Sequence, residues 1–544
     1  MYKDGKILVG KSGEKEIFLN PSMANRHGMI AGATGTGKTV SLKVLAESFS
    51  DAGVPVFLAD IKGDLCSLAE TGRESDSLNE RIATLQLDQD GYSFRKYPVM
   101  FWDVYGEMGM PLRTTISEMG PLLLSRVLGL NELQTDILSI VFKIADDTGL
   151  LLIDTKDLKS MLAYVNEHRN ELAAEYGHIA PASIAAITRA LVSLETQGAD
   201  KFFGEPALTI TDMLQLDSGQ GVISVMDCRK LILNPDMYST YLLWMLSELF
   251  ESLPEVGDCP KPKMVFFFDE AHMLFSQASP DLLNKIEQIV KLIRSKGVGV
   301  FFITQNPADI PDGIMSQLGN KIQHALHAYS PKELKAVKAA AQTYRENPEF
   351  DTADAIQHLA TGQALVSMLD ESGIPGIVER CMILPPQSLL GTADDSLRDQ
   401  MIKSNVLYSR YATAIDRDSA FEFLQRHWQE MEAQALRAAE EAQAEKERAA
   451  AEKEAAKEAA AAQKLAEKEA AAAQKAAEMA QREAEREQER AKKRAASVAS
   501  TAAGTIGRQI GKSVGSLGGT FGKTLGGNIG AQLGRSILGT FLKL

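Results

Sequence analysis

The sequence predicts an α/β fold in which a parallel β-sheet carries helices on both faces, and three observations predict it. Short apolar runs recur at Met29 to Ala31, Val54 to Ala59, Val99 to Asp103, Val222 to Met226, Met264 to Phe268 and Val298 to Thr304, each of strand length. Helical patterns lie between them, and such alternation is the mark of parallel neighbours. The first run feeds directly into a glycine-rich turn and then a helical pattern, VSLKVLAESF.

With 544 residues, the chain holds about three to five domains' worth of polypeptide. Hydrophobic residues make up 45% and charged residues 24%, which excludes wholesale disorder and a polytopic membrane protein. The start, MYKDGKILVG, has no apolar leader core, and no run approaches the ~18 apolar residues of a membrane span. The expected location is the cytoplasm, with peripheral contact at the inner membrane as the second expectation. Cys66, Cys228, Cys259 and Cys381 form no C-x-x-C pair, so reduced thiols are expected rather than zinc or disulfides.

Charge is unevenly divided. Of the net −14, residues 501–544 contribute five basic groups and no acid, and residues 430–500 contribute 16 acids against 14 bases, leaving −17 on residues 1–429. An acidic body does not coat nucleic acid indiscriminately, so DNA binding would need a local basic surface such as a pore lining.

Along the chain, residues 1–20 alternate apolar and polar and predict a short N-terminal β segment. Residues 21–110 and 214–390 form the two parts of the α/β core. Between them, 111–213 reads as an inserted helical subdomain, since LQTDILSIVFKIAD, LKSMLAYVNEH and ASIAAITRALVSLE repeat apolar residues at helical spacing. A helical extension at 391–430 leads into 431–500, rich in Ala, Glu, Lys, Gln and Arg, a long exposed helix or coiled coil. The tail, 501–544, places Gly507, Gly511, Gly515 and Gly519 four apart, and Gly522, Gly526, Gly530 and Gly534 likewise. Such a glycine-zipper-like stretch is a poor helix alone in water and gains from a close partner or a lipid surface.

The chemistry is concentrated in three strand-end motifs. Gly32, Thr34, Gly35, Thr36, Gly37, Lys38 and Thr39 lie in GATGTGKT, which satisfies G-x-x-x-x-G-K-[ST] between a strand and a helix. Backbone N–H groups would curl around phosphate oxygens, Lys38 would reach the β and γ phosphates, and Thr39 would offer its hydroxyl to Mg2+. ATP and Mg2+ are therefore the expected cofactors. MVFFFDE ends in Asp269, expected to hold the metal, and Glu270, expected to polarise the attacking water. VGVFFITQ ends in Gln305, placed to sense the γ phosphate. His272, in Asp-Glu-Ala-His, also resembles the acidic box of two-lobed helicases, yet the chain carries a single phosphate loop.

Phosphoryl transfer gains from an added arginine, and with one core per chain the donor is expected from a neighbour: Arg294 in IVKLIRSKG first, Arg380 second. Asp60-Ile-Lys62-Gly-Asp64 is either a support for the metal, a coupling of the nucleotide to a moving loop, or a turn. Lys332, Lys335 and Lys338, at helical spacing, are either a DNA-facing stripe or a solvated face.

Taken together, NRHGMIAGATGTGKTVSLKVL, FLADIKGDL, FFFDEAHMLF, RSKGVGVFFITQNPADIP and NKIQHALHAYSPKELKAVKAAAQTYR resemble the bacterial helicase HerA-like family, within the FtsK and HerA superfamily of ring ATPases, over roughly residues 5 to 430. The resemblance implies a RecA-like P-loop NTPase core, a hexamer, and DNA-linked ATP hydrolysis. It assigns Lys38 and Thr39 to nucleotide and metal, Asp269 and Glu270 to the acid pair, Gln305 to the sensor and Arg294 to the inter-subunit finger. Two departures stand out: only about 27 residues precede the phosphate-loop strand, where archaeal relatives carry a fuller β-barrel, and His327 stands where arginine is expected. A nuclease partner docking through such a barrel therefore does not carry over directly and stays open, as does a membrane surface met by the tail. The leading expectation is a ring-forming, Mg-dependent ATPase coupling hydrolysis to DNA translocation or unwinding. The rival is an ATP-gated assembly or scaffold protein acting through its C-terminal helix and tail.

Overall fold

The computed structural model describes residues 1–490 except positions 277 and 279; the glycine-repeat tail lies outside the described residues. Two compact units divide the chain, Met1–Phe423 and Leu424 onward. In chain order the strands are β1 (Tyr2–Lys3), β2 (Lys6–Ser12), β3 (Lys15–Leu19), β4 (Gly28–Ala31), β5 (Val56–Asp60), β6 (Val99–Asp103), β7 (Met110–Pro111), β8 (Leu216–Asp217), β9 (Gln220–Gly221), β10 (Ile223–Asp227), β11 (Met264–Phe268), β12 (Val298–Thr304), β13 (Asn320–Gln323), β14 (Gln363–Ser367) and β15 (Glu379–Ile383).

Thirteen of them build one sheet in the order β1-β2-β15-β14-β13-β4-β12-β11-β5-β10-β6-β7, with β3 paired to β2. From β13 to β7 every pair is parallel. Every residue of β11 and β12 is buried, as expected for central strands covered on both faces. Aromatic rings knit this centre together: Phe57 stacks on Phe266 at 4.3 Å and Phe268 on Phe302 at 5.4 Å.

The other half departs from the all-parallel expectation. β14, β15, β2, β3 and β1 pair antiparallel, so the sheet is mixed, and the N-terminal hairpin is woven into it through β15. Strands reading NKIQ, QALVS and ERCMI mix polar and apolar residues; lacking a continuous apolar run, they give little signal in the sequence. Gly10 is required where β2 meets β15, since a Cβ there would stand 2.3 Å from the Met382 carbonyl oxygen.

Between β7 and β8 the chain is almost wholly helical: Ile116–Val127, Glu132–Thr148, Thr155–Tyr176 and Pro181–Thr196. Three of these begin with reciprocal capping, Thr115 with Glu118, Asn131 with Gln134 and Asp154 with Asp157, each satisfying amide groups the first turn would leave open. The first is kinked at Gly120, where φ is 71°, just before Pro121. The helix Ala420–Arg490 has 71 residues, about 105 Å at 1.5 Å per residue. Beyond residue 431 nearly all its described residues are exposed, which fits a composition without an apolar stripe. Among the described residues, no helix is long and apolar enough to cross a membrane. All four cysteines are free.

His27 fixes the start of β4. A backbone carbonyl can only accept, so the Nε2–H donates to Val290 O at 2.8 Å, and Nδ1 accepts the Val300 amide at 3.1 Å. The neutral imidazole thereby ties β4 to β12 and to the preceding helix. Burial lowers its pKa to about 4, whereas an unfolded histidine protonates near 6.5. Between those values the folded chain binds fewer protons than the unfolded one, so this contribution to stability is lost as pH falls. Melting temperatures of wild type and His27→Gln from pH 6.5 to 4.5 should show the variant starting lower but falling less steeply; parallel curves would exclude this role.

Candidate phosphate-binding and hydrolysis site

The site is assembled where β4, β12 and β11 end side by side. β12 lies between β4, which feeds the glycine loop, and β11, which ends at the acid pair. Gln305, at the end of β12, is therefore set between loop and acids by strand order alone. Helix α1 (Lys38–Asp51) starts directly from the loop, so its free N-terminal amides face the same place and favour an anion there. Gly37 supplies the left-handed entry to α1 with φ 114°. Gly32 leaves room for the next layer, since a Cβ on it would come within 2.5 Å of His324 Cβ.

Lys38 Nζ donates to the carbonyls of Gly32 at 2.7 Å and Ala33 at 3.1 Å. Its ammonium is thus held over the loop. Burial lowers its pKa, and the charges of Glu270 and Asp269 oppose that shift. Thr36 Oγ donates to Ala33 O at 2.7 Å, tightening the turn, while Thr34 and Gly35 are exposed at its tip and Thr39 lies half-buried on the first turn of α1.

Asp269 and Glu270 differ in environment. Asp269 is pushed up to about 7, first by burial and then by the adjacent Glu270 carboxylate; only the Glu270 amide, at 2.9 Å, hydrogen-bonds to it from the backbone. Three other aspartates end parallel strands in register: Asp60 opposite Asp227, and Asp227 opposite Asp103. Each is already occupied. Asp60 accepts from the amides of Lys62, Gly63, Leu65 and Cys66. Asp103 accepts from those of Tyr105, Glu107 and Met108, and Asp227 is held by Arg229. With a single backbone amide on it among the described residues, Asp269 has the most acceptor capacity left of the four. The Asp60 motif is accordingly a turn, and Lys62, exposed on it, adds positive charge felt by both Lys38 and Asp269.

Glu270 accepts from Gln305 Nε2 at 3.1 and 3.3 Å. His272 Nδ1 lies 3.3 Å from the same carboxylate but without a hydrogen-bonding alignment. The Glu270 backbone is left-handed, with φ 47°, a conformation that costs of order 1–3 kcal/mol for such a residue and persists only where its surroundings impose it. Tyr238 contributes by donating its hydroxyl to Asp269 O at 2.7 Å.

Among the described residues, no group of three or more His, Cys, Asp or Glu side chains could hold a metal by itself. One open carboxylate, together with the Thr39 hydroxyl on the first turn of α1, suits instead a Mg2+ that arrives with its phosphates, because that ion takes few protein ligands. Asp269 and Thr39 would hold it, and it would supply charge for the phosphate oxygens.

The remaining residues from the sequence lie elsewhere. Arg294 precedes β12 and reaches Asp258 at 3.4 Å, at the opposite end of the strand from Gln305; seven residues at about 3.3 Å each separate the two ends. The structure does not bring it to its own chain's loop. Arg380, exposed on β15, donates to His358 O and Gln363 Oε1. Lys332, Lys335 and Lys338 are exposed on the helix Pro331–Gln342, and His327 is exposed before it.

Sequence reasoning missed His324. Its Nδ1–H donates to Gln363 O at 3.0 Å, so Nε2 accepts the Ser41 hydroxyl at 2.8 Å. Burial lowers its pKa to about 4, and this neutral ring joins α1 to the antiparallel half of the sheet. One histidine at the end of a short polar strand gives no pattern to find.

The Helicase HerA-like C-terminal family matches residues 6–542. The chain belongs to that family. As a HerA-like protein it is an ATP-hydrolysing P-loop enzyme. It is 21% identical over 374 residues to the DNA double-strand break repair helicase HerA of Sulfurisphaera tokodaii, covering 67% of each chain. It is 23% identical over 382 residues to the protein of the same name from Sulfolobus acidocaldarius, covering 66% of this chain and 65% of the relative. Similar solved structures include the bacterial conjugative coupling protein TrwB, at 15% identity and TM-score 0.45 over 73% of this chain and 92% of that one. Another is VirB4 of Thermoanaerobacter pseudethanolicus, at 16% identity and TM-score 0.45 over 70% and 97%.

Because Asp269 holds its proton up to about pH 7, a cation binding there must displace that proton. Calorimetry of Mg-ATP binding at pH 6.5, in buffers of different ionisation enthalpy, should find wild type releasing up to about one proton more than Asp269→Asn. Equal release would show that the metal does not meet this carboxylate.

Proposed function

We propose that this HerA-like enzyme is a Mg-dependent ATPase that works as a ring, a hexamer by family resemblance, and couples ATP hydrolysis to movement along DNA. The observation that carries the reading is the convergence of Lys38, Asp269, Glu270 and Gln305 at three adjacent strand ends. In this reading the loop amides and Lys38 bind the triphosphate, and Glu270 takes the proton of the attacking water. Gln305, already bonded to Glu270, shifts between that carboxylate and the γ phosphate as hydrolysis proceeds.

Assembly follows from what one chain lacks. Arg294 lies at the opposite end of β12 from Gln305, so a role at a phosphate requires a neighbouring subunit's pocket. DNA as the partner is supported by the names of the two curated relatives, and the exposed lysines at 332, 335 and 338 offer a local cationic surface on an acidic body. A second reading, an ATP-gated scaffold, is favoured by the long helix Ala420–Arg490, whose exposed length is suited to a protein partner.

Turnover measured with and without DNA at stated salt, with light-scattering mass on the same sample, separates the readings. DNA-stimulated hydrolysis by a hexamer is expected. DNA-insensitive hydrolysis would favour the scaffold. Arg294→Ala should lower turnover at least tenfold while leaving ATP affinity nearly unchanged, and adding Lys38→Ala subunits, whose own pockets are inactive but whose Arg294 is intact, should restore part of it. No restoration in mixed rings would remove the trans assignment.

A further inference from the structure

The acid pair is held from more than one direction. The Tyr238 hydroxyl holds Asp269 O, the Ala271 amide donates to Ile303 O at 2.8 Å, and the Glu270 amide bonds back to Asp269. These tethers belong to the α/β core. The remaining one comes from the helical segment inserted between β7 and β8. Arg126, in the last turn of the helix Ile116–Val127, donates from Nη1 to Leu274 O at 3.1 Å and from Nη2 to Met273 O and Ser276 O, both at 3.3 Å. It thus gathers carbonyls at the end of the short turn His272–Phe275, one residue beyond the acid pair.

This arginine is committed to that task. Its Nε is buried with no hydrogen-bond partner among the described residues, and burial lowers its pKa, opposed by the charge of Asp236. A guanidinium matches the job because its planar fork reaches several acceptors at once and complements the carbonyl end of a helical turn. A lysine ammonium would reach fewer of them.

We infer that Arg126 is a positioning residue for hydrolysis, through which the inserted helices set the orientation of Glu270. The inference rests on the reading that Glu270 activates the attacking water. The strained backbone at Glu270 stays left-handed only while the segments on both sides are fixed, and Arg126 fixes the downstream one. Nucleotide binding uses the loop and α1, which Arg126 does not touch. Displacement of the helix Ile116–Val127, which is kinked at Gly120 and Pro121, would therefore alter the rate of cleavage without altering the affinity for ATP.

The test uses full-length Arg126→Ala, Arg126→Lys and Glu270→Gln, with kcat, KM, ATP-analogue affinity and melting temperature for each. Arg126→Ala should lose about 10- to 100-fold in kcat, the scale expected when a reacting group is misplaced by about 1 Å, with KM and analogue affinity within about threefold of wild type. Arg126→Lys should fall between the two, and added guanidinium ion should restore part of the Arg126→Ala rate while leaving Glu270→Gln inactive. A wild-type kcat in folded Arg126→Ala, or equal losses in kcat and analogue affinity in both Arg126 variants, overturns the inference. If Glu270→Gln itself turns over normally, the underlying assignment of the base fails, and this inference falls with it for a separate and recognisable reason.

Discussion

The site depends on a balance of charge at the tip of one buried strand. Asp269 and Glu270 are consecutive carboxylates, and burial together with their mutual repulsion keeps a proton on Asp269 up to about pH 7. Lys38 stands opposite, its own charge weakened by burial and supported by the same two acids. In such an arrangement a divalent cation would take the place of the Asp269 proton, and the remaining negative charge of a bound triphosphate would fall on Lys38, the loop amides and the start of α1. In the proposed function, the loop amides, the start of α1 and Asp269 all serve that exchange.

Strand order gives this balance its geometry. Because β12 separates the loop strand from the acid strand, Gln305 cannot avoid lying between them, and the register that aligns four strand-end aspartates also makes their differences visible. Three bond to the turns that follow them, and Asp269 is the least engaged among the described residues. The helices outside the sheet then act on the site through few contacts: Tyr238 on the carbonyl before Glu270, Arg126 on those after it. The strained glutamate is thereby held at both ends.

Legibility in the sequence followed burial. β6, β11 and β12 were readable to the residue because central parallel strands are apolar throughout, and GATGTGKT, Asp269, Glu270 and Gln305 were readable because they sit at the ends of such runs. The antiparallel half was not, since NKIQ buries polar Asn320 and Gln323, ERCMI mixes buried residues with half-buried and exposed ones, and Gly10 matters only through a contact with Met382 far away in sequence. His324, Tyr238 and Arg126 were invisible for the same reason: each acts through a bond spanning at least 31 residues. Asp60, conversely, looked like a candidate metal support until four backbone amides accounted for its carboxylate. The assembly role proposed for Arg294 rests on the resemblance and on its place at the opposite end of β12.

The most direct measurement is a high-resolution structure of the assembled protein with Mg2+ and a non-hydrolysable ATP analogue. The expected result is Lys38 Nζ transferred from the carbonyls of Gly32 and Ala33 to the terminal phosphate, with Asp269 at the metal and Glu270 facing a water in line with the γ phosphorus. A triphosphate bound away from this loop, or a Glu270 carboxylate turned from the γ phosphate with Lys38 still on its carbonyls, would contradict the account.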